Sequence, residues 1–209
     1  MSKIQRRVQK RVLKVGGSLL TCEDLPQRLD RWLASEPNAE TIAIVGGGEL
    51  IDAMRTLDSI QPIASADLHW QCVDLLQITF QWLGTRLSGW QILSQQMEFH
   101  ALQDRWRQEQ TIEGRTLMAV ASFYSRRLVA EDNSGLMPKL PMTWATTTDA
   151  IAGSLAIAAQ ADELVLVKSC HVDPGQSLAE LASQGVIDEA MPGLADQLPP
   201  VRFINLRSG

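Results

Sequence analysis

Two apolar runs, each ending in glycines and each followed by a stretch with helix composition, most constrain what this chain can fold into. Residues 11–15 read RVLKV and lead into Gly16-Gly17-Ser18; residues 41–45 read TIAIV and lead into Gly46-Gly47-Gly48. Residues 23–34 have helix composition apart from Pro26, which a first helical turn tolerates because its missing N–H would be unpaired there anyway. Residues 49–57 (ELIDAMRTL) continue as a second helix. Strand, glycine turn and helix, twice in succession, imply an α/β fold with a parallel sheet and helices on its faces.

The rest of the chain keeps this rhythm. Leu68, Cys72, Leu75, Leu76, Thr79 and Leu83 recur at helical spacing and predict a long helix over 65–83. Its apolar residues fall on more than one face, which suits a subunit contact. A more polar helix is expected over 94–108, short strands over 116–121 and 127–130, and a loop over 132–141 carrying Asn133, Gly135, Pro138 and Pro141. Residues 148–161 read as a helix of small side chains, able to pack closely on a sheet. Residues 163–168 (ELVLVK) are the clearest buried strand, 178–184 a short helix capped by Gly185, and 201–206 a last strand.

With 209 residues, no internal repeat and no long linker, one domain over 1–209 is expected, 1–7 being a basic arm before the first strand. Lys3, Arg6, Arg7, Lys10 and Arg11 crowd this end, but without interleaved aromatic residues they read as a solvated arm rather than an RNA-binding tail. A net charge of −5 gives no overall field favouring nucleic acid. Cys22, Cys72 and Cys170 form no CxxC pair, against a zinc site, and their sparse odd number argues against a disulfide framework. No apolar run is long enough to span a bilayer, and no apolar signal region follows the basic start, so a cytoplasmic protein is expected.

The glycine turns suggest the chemistry. Backbone N–H groups at a helix N-terminus are unsatisfied and lie at the positive end of the helix dipole, so they suit phosphate. Glycine lets the backbone come close, and a lysine adds a full charge to stabilise a phosphoryl group in flight. Lys14-Val15-Gly16-Gly17-Ser18 supplies this set after one strand and Gly46-Gly47-Gly48 supplies a second nest after another. In a parallel sheet both lie at the carboxyl edge, where two phosphates can be held opposite each other. The plainer alternative for each is a tight strand-to-helix turn. Neither matches GxxxxGK[ST] or GxGxxG. Thr146-Thr147-Thr148-Asp149 opens the small-residue helix; Thr147 or Thr148 is a natural N-cap, and Asp149 suits the dipole and can also hold a lysine in place.

Together these elements resemble the amino acid kinase superfamily: a KxGGS turn, a GGG turn after the second strand and an aspartate opening a later helix. The resemblance implies a three-layer αβα sandwich around a mainly parallel sheet, with ATP and Mg²⁺ used to phosphorylate a small-molecule substrate. It implies that Lys14 stabilises the transferred group, that Gly16, Gly17 and Ser18 cradle phosphate, and that Gly46, Gly47 and Gly48 hold the acceptor. Asp149 would orient Lys14, while Lys168, Ser169 and Asp173 would lie along the nucleotide. A homo-oligomer is implied too.

The stretches 46–55, 67–70, 140–149 and 185–188 further resemble the short branch that includes aminomethylfuran phosphate kinase, with a phosphate-monoester acceptor. Other amino acid kinase chemistry, on a carboxylate or a nucleoside monophosphate, and a non-catalytic nucleotide-binding relative are the alternatives. One departure stands out. Many members carry a lysine in a GxxxK segment near the C-terminus, whereas here the region from Gly185 to Gly193 has none and Lys168 is the last lysine in the chain. Lys168, Lys139 or an arginine is then expected to supply the second positive charge. His69 and Arg55 are candidate acceptor contacts, Arg55 lying about 10 Å along its helix from the glycines. Trp144 is read first as core and second as a substrate wall.

Overall fold

The computed structural model describes residues 8–132 and 135–207. The basic arm 1–7 and Asn133 lie outside the described residues. Strands run over Gln9–Val15 (β1), Ala39–Val45 (β2), Gln91–Leu93 (β3), Gly114–Met118 (β4), Glu163–Lys168 (β5) and Val201–Asn205 (β6). They form one sheet ordered β3-β4-β2-β1-β5-β6, and each pairing is parallel. Helices occupy Leu25–Ser35 (α1), Glu49–Ile60 (α2), Ser65–Gly84 (α3), Gln96–Arg107 (α4), Arg126–Glu131 (α5), Thr148–Ala158 (α6) and Leu178–Ser183 (α7).

Both faces of the sheet are covered, which is why β2 and β5 are buried along their whole length rather than at alternate residues. Strand alternation sorts their side chains between two cores. On one face Val12, Ile42, Ile44, Leu164 and Leu166 pack with Trp70 and Leu76 of α3, Phe99 and Trp106 of α4, and Ile151 and Leu155 of α6. On the other, Leu13, Val15, Ala43, Val45, Val165 and Val167 pack with Leu25, Leu29 and Leu33 of α1 and with Phe80 and Leu83 of α3. The two apolar faces of α3 are thus used within the chain: its first half enters one core and its second half the other. Ile78 and Trp82 of the same helix remain exposed.

Two sequence expectations need correction. Residues 127–130 lie in the helix α5, not a strand; the Ser125 hydroxyl accepts from Leu128 N and starts that helix. The three-residue edge strand β3 was not expected, being too short to show a periodicity.

The strand order matters for the site. From β1 the chain moves to β2 on one side, and it later returns to place β5 on the other side of β1. The winding of the chain therefore reverses at β1, and open α/β sheets bind ligands beyond the carboxyl ends of strands at such a point.

Candidate active site

A cavity of about 790 Å³ opens beyond the carboxyl ends of β1, β2 and β5, within the range of about 300–1,000 Å³ usual for small-molecule sites. Its wall includes Lys14, the turn 16–18, the turn 46–48, Asp149, Lys168 and Ser169.

The two glycine turns touch. Gly46 N donates to Val15 O at 2.9 Å, continuing the β1–β2 ladder into the turns. A β-carbon on Gly17 would stand 2.1 Å from Gly48 N, so no side chain fits there. Gly48 has φ +55°, in the left-handed region, and a β-carbon on it would stand 2.6 Å from Gly17 O. Gly48 is also the residue preceding α2, so the second nest is a helix N-terminus.

Strand parity sets the charges. In β1, Lys14 falls on the same face as Val12; in β5, Lys168 falls with Leu164 and Leu166. Lys14 is in register with Leu166, so Lys168 stands one pleat beyond it on the adjacent strand. Helix α6 covers that face, with Asp149 in its first turn. Lys168 Nζ donates to Asp149 Oδ2 at 2.5 Å and to Val186 O at 2.8 Å, and Lys14 Nζ lies 3.0 Å from Asp149 Oδ1. One buried carboxylate therefore holds two ammonium groups, those of Lys14 and Lys168. Lys139 is exposed and is not part of the cavity wall.

Burial pushes the Asp149 carboxyl up, but the charges of Lys14 and Lys168 outweigh it and hold it below the ordinary carboxylate value. Burial and the neighbouring charge of Lys14 push Lys168 below the ordinary lysine value, partly offset by Asp149.

Ser18 and Ser169 meet hydroxyl to hydroxyl at 2.8 Å, joining the first glycine turn to the end of β5. On the far side of the cavity Trp144 Nε1 donates to Asp58 Oδ2 at 2.8 Å, and the Arg55 guanidinium sits 5.1 Å above its ring. Arg55 and Trp144 both line the cavity, so Trp144 is a wall rather than core. His69 also lines it, but it is buried and its Nε2 is within 3.0 Å of the Tyr124 hydroxyl. Burial lowers the His69 pKa and pushes that of Tyr124 up to about 12. Asp173 is not brought to the cavity: it is exposed, and its Oδ1 accepts from Gly175 N at 2.9 Å within a local turn.

The start of α6 differs from the expected cap. Thr147 is the N-cap residue, yet neither its side chain nor that of Thr148 caps the helix. Asp188, from the segment after α7, does so. Its Oδ2 accepts from Thr147 N and Ala150 N, each at 2.8 Å, and its Oδ1 accepts from the Thr147 hydroxyl. No local pattern marks Asp188 as a cap, since its partners are 38 and 41 residues away. Burial and the charge of Asp149 push its carboxyl above the ordinary value.

No group of three or more His, Cys, Asp or Glu side chains able to hold a metal ion occurs among the described residues. A divalent ion entering with a nucleotide would therefore take most of its ligands from phosphate oxygens and water, as Mg²⁺ commonly does. No helix among the described residues is long and apolar enough to cross a membrane.

No family model matches the sequence, and no curated protein matches it. Solved structures do match. Uridylate kinase from Archaeoglobus fulgidus superposes with a TM-score of 0.57 at 16% identity, over 94% of this chain and 90% of that one. UMP kinase from Bacillus anthracis gives 0.59 at 15% identity, over 96% and 88%. This chain has the amino acid kinase-like α/β fold. Aspartate kinase from Synechocystis gives 0.53 at 16% identity over 95% of this chain but only 38% of the larger protein.

Proposed function

We propose that the protein is a kinase of the amino acid kinase type, transferring the γ-phosphoryl group of ATP to a small phosphate monoester. The observation that carries this reading is the meeting of two glycine turns from adjacent parallel strands beside two ammonium groups that share one buried carboxylate. Backbone amides and fixed cations around one space suit spread negative charge, which is what phosphoryl transfer must stabilise.

In the proposed reaction an acceptor phosphate oxygen forms a bond to Pγ as the bond from Pγ to the β,γ-bridging oxygen breaks. The products are a diphosphate and ADP. The attacking oxygen is already anionic, so Asp149 need take no proton; it holds Lys14 and Lys168. Lys14, Gly16, Gly17 and Ser18 are assigned to the transferred group, Lys168 and Ser169 to the nucleotide side, and Gly46, Gly47, Gly48, Arg55 and His69 to the acceptor side. Mg²⁺ bound with ATP would supply further charge neutralisation.

The acceptor side is partly apolar, with Leu68, Val73, Leu76 and Trp144 in the wall, and this supports a compact ring-bearing acceptor. An aminomethylfuran phosphate, as the sequence resemblance implies, has that chemistry. The likeness to two uridylate kinases favours a second reading, a nucleoside monophosphate acceptor. The sequence resemblance to the amino acid kinase superfamily carries the proposal of a homo-oligomer, which sedimentation velocity tests.

Incubation with MgATP and a panel of furanylmethyl phosphates, nucleoside monophosphates and carboxylates, followed by ³¹P NMR, separates these readings. A new diphosphate signal with a furanylmethyl phosphate supports the first, and one with a nucleoside monophosphate the second. Tight ATP binding with no transfer to any acceptor, unchanged in Lys14→Ala, contradicts both and points to a non-catalytic nucleotide binder.

A further inference from the structure

The start of α6 lines the same cavity as the glycine turns, and two of its amide groups, those of Thr147 and Ala150, are already occupied. Asp188 reaches them from the segment after α7, takes three hydrogen bonds from Thr147 and Ala150, and is itself buried, 8% exposed. A carboxylate there satisfies orphan donors and the helix dipole. It also takes the Thr147 and Ala150 amides out of reach of any phosphate in the cavity.

Asp149 lies between the two residues that Asp188 grips, and its carboxylate is the one that Lys14 and Lys168 share. The segment carrying Asp188 is anchored at two further points: Val186 O accepts from Lys168 Nζ at 2.8 Å, and Ala190 N donates to Ala145 O at 2.8 Å. The segment therefore touches both the helix that presents Asp149 and the ammonium that Asp149 binds.

We propose that Asp188 is a positioning residue: by capping α6 from outside, it fixes Asp149 and, through Asp149 and Val186, the direction of Lys168 into the cavity. The proposal rests on the kinase reading above. The charged groups facing Lys168 are Lys14 from β1, Asp149 from α6 and Asp188. Burial and Lys14 weaken its hold on the proton, whereas Asp149 and Asp188 strengthen it. Removing the Asp188 charge is therefore expected to let Lys168 deprotonate at lower pH.

The test compares wild type with Asp188→Asn, which keeps the side-chain shape but not the charge. It uses ¹³C-lysine NMR titration of the ligand-free protein, with Lys168 assigned through Lys168→Arg, and steady-state kinetics. Expected are a downward shift of the Lys168 midpoint, an alkaline limb of kcat displaced the same way, and a kcat loss of about 10²-fold with the KM for ATP little changed, as for a small misplacement of a reacting group. A Lys168 titration identical to wild type, or an unaltered kcat, overturns the proposal. Should Asp188→Asn fail to fold, Thr147→Val, which removes one of the three bonds, carries the test: lower kcat at constant KM supports the proposal and wild-type kcat overturns it. If the wild-type protein phosphorylates no acceptor, the kinase reading falls, while the Lys168 titration still decides whether Asp188 governs that ammonium.

Discussion

Lys14 and Lys168 carry their charges on the same face of the sheet because both fall on the strand parity of the α6-side core. That parity could be read in RVLKV and ELVLVK, and Lys14 was already marked by the glycines after it. Lys168 stood out less, as the last lysine of a chain whose C-terminal segment has none. Asp188 was not legible as a cap, because its role exists only once residues 38 and 41 positions away are brought together. Asp173 was expected along the nucleotide and instead closes a local turn, a common use of aspartate. Two outcomes belong at this scale. Gly17→Ala drives a methyl group into Gly48 N; it should cost about 1–3 kcal/mol of stability, read from urea unfolding, and most of the activity. For Lys168 the sign is set by its lowered pKa: it loses its charge below the ordinary lysine value of 10.5. Turnover that needs that charge should fall with rising pH before the ordinary lysine range. Lys168→Arg, whose charge does not titrate there, should move this alkaline limb to higher pH in a kcat–pH profile.

Among the elements, the strands and glycine turns of the first half were the most legible, because fully buried parallel strands are continuous apolar runs and the turns follow them directly. The misread one was α5: Leu128, Val129 and Ala130 suit either a strand or a helix, and the Ser125 cap decided the matter. At the end of the sheet away from the cavity, Arg11 and Glu163 form a buried ion pair at 2.5 Å, extended by Arg202 at 2.9 Å from Glu163 and 2.7 Å from Glu36. This network pins β1, β5 and β6 at their starting ends, far from the chemistry. Glu163→Gln removes the shorter of the two ion pairs of buried Arg11, leaving Glu36 at 3.8 Å, and should destabilise the fold by about 3 kcal/mol, the low end for breaking a buried pair. Urea midpoints check this, and the kcat of the protein that remains folded should stay near wild type.

At the scale of the whole molecule, the α/β class followed from the sequence, but the order of the strands did not. Neither run of residues says that β5 returns to the far side of β1, and that return is what brings 14, 16–18, 46–48, 149 and 168 around one cavity. The packing of α3 depends on that strand order too: a single helix that crosses from one core to the other has the same pattern as one that is shared between subunits. The measurement that bears most directly on the assembled cavity is single-turnover transfer of ³²P from [γ-³²P]ATP to the best acceptor, in wild type and in Lys14→Ala. Removing a charge at the transferred group should slow the transfer by about 10³-fold while α/β structure and ATP binding survive. Equal transfer rates in the two proteins would contradict the central claim that this cleft performs phosphoryl transfer with Lys14 at its centre.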